Sequence, residues 1–196
     1  MAIPQSQIPK HWNYFLMLEA DLANLARYVD LNPNNYKTYS LELSRLLVSA
    51  CGEVDSILRQ ICQPQNTNPR QGWNIDGYKN YITNAYPSFS GTSVTIPRYG
   101  LELKPWDNWQ EPQSTNPEWW RGHNGIKHSR HDDFQKGNLK NVLNAMGGLY
   151  IALIYLHEPK NEAHLMTPTP SLFFPYQLHD GETRSDGSWW YNFNDL

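Results

Sequence analysis

Cysteine is scarce: Cys51 and Cys62 are the only two in 196 residues, and they form no CxxC pair. Both fall in one expected helix, where eleven residues at about 1.5 Å each hold them roughly 16 Å apart, too far for a disulfide. Charge is also sparse, at 18% of residues, and the net balance of −3 lacks the basic excess of a protein that grips nucleic acid through many phosphates. The longest apolar run, VLNAMGGLYIALIYL at 142–156, is interrupted by Asn144 and two glycines. It is shorter than the roughly 18 apolar residues of a membrane span, so a buried helix is expected and no membrane partner. Two unpaired thiols, with no cationic and then apolar start at the N-terminus, point to a cytoplasmic protein. There is no GxSxG and no phosphate-cradling P-loop.

What is present reads mainly as helix. In residues 11–31, Phe15, Leu18, Leu22, Leu25 and Val29 follow the three-and-four spacing of an amphipathic helix that NPNN at 32–35 ends. A second helix is expected over 39–63, with Leu43, Leu46, Leu47, Ala50, Val54, Ile57, Leu58 and Ile61 on one stripe, and a short third over 75–86. The run PQNTNPRQG at 64–72 reads as a loop. Around PRYG, residues 92–104 alternate aliphatic with polar residues, predicting a small β-hairpin insertion. Asn116 as N-cap, Pro117 at the first helical position and Glu118 in the first turn start a helical pattern that runs to about His157, weakened by Gly125, Gly137, Gly147 and Gly148. The two mid-helix glycines, 147 and 148, indicate a bend or another helix packed very close. The arm from 159 to 196 reads as irregular or β-containing, with Trp189 and Trp190 clamping it to the bundle. One domain spans residues 1–196.

Polar chemistry concentrates in WWRGHNGIKHSRHDDF at 119–134. Between 121 and 140, Arg121, Lys127, Arg130, Lys136 and Lys140 stand against Asp132 and Asp133, a local +3 before His123, His128 and His131 are counted. At about 100° per residue, Arg121, Asn124, Gly125, His128 and Asp132 share one face, opposite Trp119, Ile126 and Phe134. An Arg two helical turns before a His suits a cation that holds a phosphate and a group that moves a proton beside it. The spacings of His123, His128 and His131 spread these rings around the helix, so neither a metal nor another cofactor is expected.

Arg121, six intervening residues and His128 resemble the R-x4-6-H signature of the HEPN superfamily. PEWWRGHNGIKHSRHDDFQKGNLKNVLNAMGGLYIAL is similar to a poorly characterised bacterial family with WW, N, KH, R, F and NL at these spacings, a likeness covering residues 105–157. The HEPN resemblance implies a mainly α, antiparallel helical bundle and a homodimer whose site is composite. It also implies metal-independent endoribonuclease chemistry, in a toxin or phage-defence effector. His128 would be general base on a ribose 2′-OH, Arg121 would stabilise the phosphate charge and Asn124 would orient one of them. Lys127, Arg130 and His123 would contact RNA, and Trp119 or Trp120 would stack its bases. In active members the residue after the Arg is usually polar, whereas here it is Gly122.

Two other readings of the same strip stand beside this one. Arg121 and His128 would be structural if the Arg were tied to a carboxylate such as Glu53 and the His to a backbone carbonyl. A catalytically inactive HEPN-like module would use the polar face, the hairpin and the Trp residues to hold a partner protein or a nucleotide-like ligand.

Overall fold

A computed structural model describes residues 9–62, 74–111, 115–157, 159 and 163–175. The first helix, α1 (Lys10–Leu25), buries Phe15, Leu18 and Leu22 of the expected stripe and also Trp12, while Leu25 and Val29 are half-buried. It stops before the expected residue 31, as Ala26 to Tyr28 become turns. The second, α2 (Leu41–Cys62), buries all eight stripe residues. Ser40 starts it, its hydroxyl accepting from the Leu43 N–H at 3.1 Å and so satisfying one of the donors a helix start leaves open. A third, α3 (Ile75–Ala85), is capped by Asn74, whose side chain accepts from the Gly77 N–H. The loop expected at 64–72 lies outside the described residues.

The hairpin follows where alternation places it. Strand β1 (Val94–Ile96) pairs antiparallel with β2 (Leu101–Leu103), with Val94 opposite Leu103 and Ile96 opposite Leu101. These four side chains are buried, while Thr95 is half-buried and Glu102 exposed. Gly100 closes the connection at φ 62°, a left-handed conformation that other residues rarely adopt. A third strand, β3 (Phe174–Pro175), joins from the far end of the chain on the other side of β1, giving the order β2-β1-β3. The chain is thus mainly helical, a bundle with a small hairpin insertion and a C-terminal segment that adds one short strand. Trp189 and Trp190, and all of the arm beyond Phe174–Pro175, lie outside the described residues.

The long helical pattern after residue 116 divides in two. Helix α4 (Glu118–Asp133) takes Pro117, not Asn116, as its capping residue, because Asn116 instead donates its side-chain amide to Asp76 at 3.0 Å. Helix α5 (Leu139–His157) begins after a tight turn at Phe134–Lys136, and Asn138 caps it by accepting from the Asn141 N–H. The Leu139 and Lys140 N–H groups donate to the carbonyls of Thr38 and Tyr36, which ties the start of α5 to the segment before α2.

By length and composition α5 would cross a membrane, but 89% of its most apolar stretch is buried against the rest of the chain. It packs chiefly on α2 and forms the centre of the core. Its glycines mark close neighbours: the hairpin against Gly147, and Trp119 of helix α4 together with Trp106 against Gly148. A methyl group on Gly147 would sit 2.9 Å from Val94 Cγ2, and one on Gly148 would sit 3.0 Å from the Trp119 ring. The Gly148 carbonyl accepts from the Trp106 indole at 3.2 Å.

Just before β3, α1 holds the C-terminal segment through one carboxylate. Glu19 is 3% exposed. It accepts from the N–H groups of Ser171, Leu172 and Phe173 at 2.9, 2.8 and 3.2 Å, and from the Ser171 hydroxyl at 3.1 Å. These four donors offset the cost of burying its charge.

Candidate functional site

The polar strip occupies α4 as the helical periodicity predicts, up to one point. Arg121, Asn124, Lys127 and His128 are exposed, whereas Trp119, Trp120, Gly122, His123 and Ile126 are buried. Arg121 and His128 stand about 10 Å apart along the axis, from seven residues at about 1.5 Å each. At Ser129 the backbone leaves helical geometry, with φ −144° and ψ 51°. The 100° register therefore stops at His128, and the expected placement of Asp132 on the same face does not carry through the break. Arg130, His131 and Asp132 follow it as exposed residues on a turned segment.

Among the described residues, the side chains of Arg121, Asn124, Lys127, His128 and Arg130 form no hydrogen bond or ion pair. This removes Glu53 as the anchor of Arg121. Glu53 is instead bound to His11 Nδ1, and the other nitrogen of that ring meets the Gln60 side chain. Those three half-buried groups join the start of α1 to α2. The surrounding ion pairs leave the strip free: Asp133 takes Lys136 at 2.7 Å, and Glu118 takes Lys140 at 2.6 Å.

His123 belongs to the interior and not to the RNA-contacting surface expected of it. It is 7% exposed, lies edge-on to Trp120 at 5.7 Å, and its Nδ1 is buried with no partner among the described residues. Burial lowers its pKa, helped by the nearby charge of Lys127 and opposed by Asp55, with His128 adding a smaller lowering. The ring is therefore neutral at neutral pH. Asp55 also accepts from the Tyr78 hydroxyl and pairs with Arg59, both at 3.0 Å.

The expected stacking platforms are corrected in the same way. Trp119 and Trp120 are 2% and 6% exposed. Trp119 meets Trp106 edge to face at 4.9 Å and donates to the Pro105 carbonyl, so the core occupies the rings a base would need. Their apolar bulk outweighs their place in a polar strip. Gly122 also has a packing reason, since a methyl group there would lie 2.9 Å from the Asn141 amide of α5. Gly122 is thus a point of close contact between α4 and α5.

Cys51 and Cys62 are buried, and burial pushes the Cys51 thiol well up and Cys62 to about 12, which leaves neither as a nucleophile. Among the described residues no three His, Cys, Asp or Glu side chains converge as metal ligands.

Periodicity gives no sign of a cleft of about 320 Å³ beside the start of α4. Tyr36, Pro105, Asp107 and Asn108 line it from one side, and Glu118, Lys140, Asn141 and Asn144 from the helices. Its residues are scattered over four segments that only the tertiary fold assembles. No protein-family model matches this chain, and comparison with curated proteins and with solved structures finds no match for it.

Proposed function

We propose that the protein is a metal-independent endoribonuclease of the HEPN type, working in the cytoplasm as a homodimer and serving as a toxin or phage-defence effector. One observation carries this reading: Arg121, Asn124 and His128 lie on one solvent-facing side of α4, with no hydrogen bond or ion pair among the described residues. A structural role would tie an Arg and a His to partners, whereas a reactive role needs both groups accessible.

In this reading His128 takes the proton of a ribose 2′-OH, the oxygen attacks the adjacent phosphorus, and the 5′-oxygen leaves with a proton from water, after which His128 gives up its own proton to solvent. The products are a 2′,3′-cyclic phosphate and a 5′-hydroxyl. Arg121 stabilises the charge that grows on the phosphate oxygens, and Asn124, one turn before His128, orients it. Lys127 and Arg130 contact the RNA backbone. A single helix face is convex and excludes little water, so a second copy facing it would complete the site.

The second reading, an inactive module that holds a partner protein or a nucleotide-like ligand, draws on Gly122, which packs on α5 where active HEPN proteins usually carry a polar side chain. Cleavage of pooled transfer and messenger RNA in EDTA separates the two. Under the nuclease reading the wild type leaves cyclic phosphate ends, and His128→Ala, which alters an exposed residue, abolishes them while staying folded. Absence of cleavage by the folded wild type would refute catalysis and favour the module.

A further inference from the structure

We infer that the 320 Å³ cleft beside the start of α4 is a nucleoside-binding subsite that accepts a base with an exocyclic amino group. In its RNA context this rests on the ribonuclease reading; the binding of a free nucleoside can be tested without it.

Size is the first argument. A cleft of 320 Å³ lies at the small end of ligand sites, which run from about 300 to 1,000 Å³, and suits one nucleoside better than a dinucleotide. Position is the second. Glu118 lines the cleft, and Arg121 follows one helical turn later, about 4.5 Å along the axis. His128 lies about 15 Å from Glu118 by the same rise. A strand whose phosphate meets Arg121 therefore passes the mouth of the cleft.

Charge selects the part of the strand that enters. Glu102, Asp107 and Glu118 oppose Lys104 and Lys140, a net of −1, and both ammonium groups are already paired, Lys140 with Glu118 at 2.6 Å and Lys104 with Glu102 at 3.7 Å. An anionic phosphate is disfavoured there. The exposed Asp107 carboxylate is left over, with no side-chain partner among the described residues. A carboxylate accepts and does not donate, so it favours a base that offers an amino N–H, such as cytosine N4 or adenine N6, over uracil, which has a carbonyl at that position. Half-buried Tyr36, fixed by the bond from the Lys140 N–H to its carbonyl, adds an aromatic ring for stacking.

The test is an amide-detected NMR titration of the full chain with cytidine, adenosine and uridine, which carry no phosphate for Arg121 to attract. Shifts should centre on Asn108, Asn141, Asn144 and the Trp119 indole, with cytidine and adenosine binding more tightly than uridine. Asp107→Ala changes an exposed side chain and should weaken cytidine by about tenfold, the loss of one charge-assisted hydrogen bond, and remove the preference over uridine. Tyr36→Leu should weaken all three. Absence of shifts with every nucleoside, equal or tighter uridine binding, or shifts indifferent to Asp107→Ala would overturn the proposal. RNA cleavage separates it from the reading it rests on. Cleavage whose sequence pattern ignores Asp107→Ala refutes the subsite and leaves the nuclease standing; nucleoside binding without any cleavage refutes the nuclease and leaves the site.

Discussion

Replacing Glu19 by Gln keeps the shape of the side chain and removes its charge. The carboxylate now receives two donors on each oxygen: the Ser171 N–H and hydroxyl on Oε2, and the Leu172 and Phe173 N–H groups on Oε1. A Gln amide has one acceptor oxygen and turns two N–H donors toward the other pair. Two donors are thereby stranded at a site that is 3% exposed. An unsatisfied buried donor costs about 1–3 kcal/mol, so Glu19→Gln should destabilise the fold by about 2–6 kcal/mol, near the lower end if the Ser171 hydroxyl rotates away. Against a typical total of about 5–15 kcal/mol this is a large fraction. Urea denaturation followed by tryptophan fluorescence would read it as a lower midpoint at unchanged slope. Hydrogen exchange should speed up first at Leu172 and Phe173, because the segment they belong to can open without the whole bundle. A Glu19→Gln protein within about 0.5 kcal/mol of wild type, with unaltered exchange at those two amides, would refute the assignment of this carboxylate as the staple of the C-terminal segment.

Gly148→Ala should destabilise by up to about 2 kcal/mol: overpacking costs about 1–3 kcal/mol against the Trp119 and Trp106 rings, held by their indole bonds to the Pro105 and Gly148 carbonyls, and helix propensity returns about 1. A thermal melt above that of wild type would show that the Trp cluster yields. His123 has a lowered folded pKa, so between the ordinary histidine value of about 6.5 and that lower value the unfolded chain binds the proton more readily. Its contribution is unpenalised above about pH 6.5 and stability falls as pH drops through the window; His123→Phe should flatten the slope of urea stability against pH there. Both thiols should resist a disulfide reagent at pH 8 in the native state and react after unfolding, since burial raises Cys51 and Cys62; rapid native labelling of either would contradict their burial.

Much of the bundle was legible because helices and strands bury one face at a fixed period. The apolar stripes of α1 and α2 and the alternation around Gly100 depend only on neighbours three, four or two residues apart. Gly147 and Gly148 signalled a close approach, although their spacing carried no hint that Trp106, Trp119 and Val94 were what approached. The exposed Arg121, Asn124 and His128 followed from the same arithmetic. It failed at Ser129, where no proline or glycine warns of the break, and at Asn138, whose capping role was hidden inside a pattern that looked continuous. The RNA-facing roles of His123, Trp119 and Trp120 did not hold, but these came from the resemblance and not from the period, which already set Trp119 opposite the polar face. Glu19 left a faint signal, a lone carboxylate four residues after Phe15 on the apolar side.

The sequence by itself determined which segments are helical, where the hairpin turns and which face of α4 is polar up to Ser129, because each is a local period written in side-chain polarity. Only the tertiary structure decided that Glu53 belongs to His11 and not to Arg121, that Glu19 holds residues 152 or more positions away, and that Tyr36, Asp107, Glu118 and Asn144 meet around one cleft. Those pairings join groups far apart in the chain, and their geometry is set by how α2, α4, α5 and the hairpin pack, which no local period encodes.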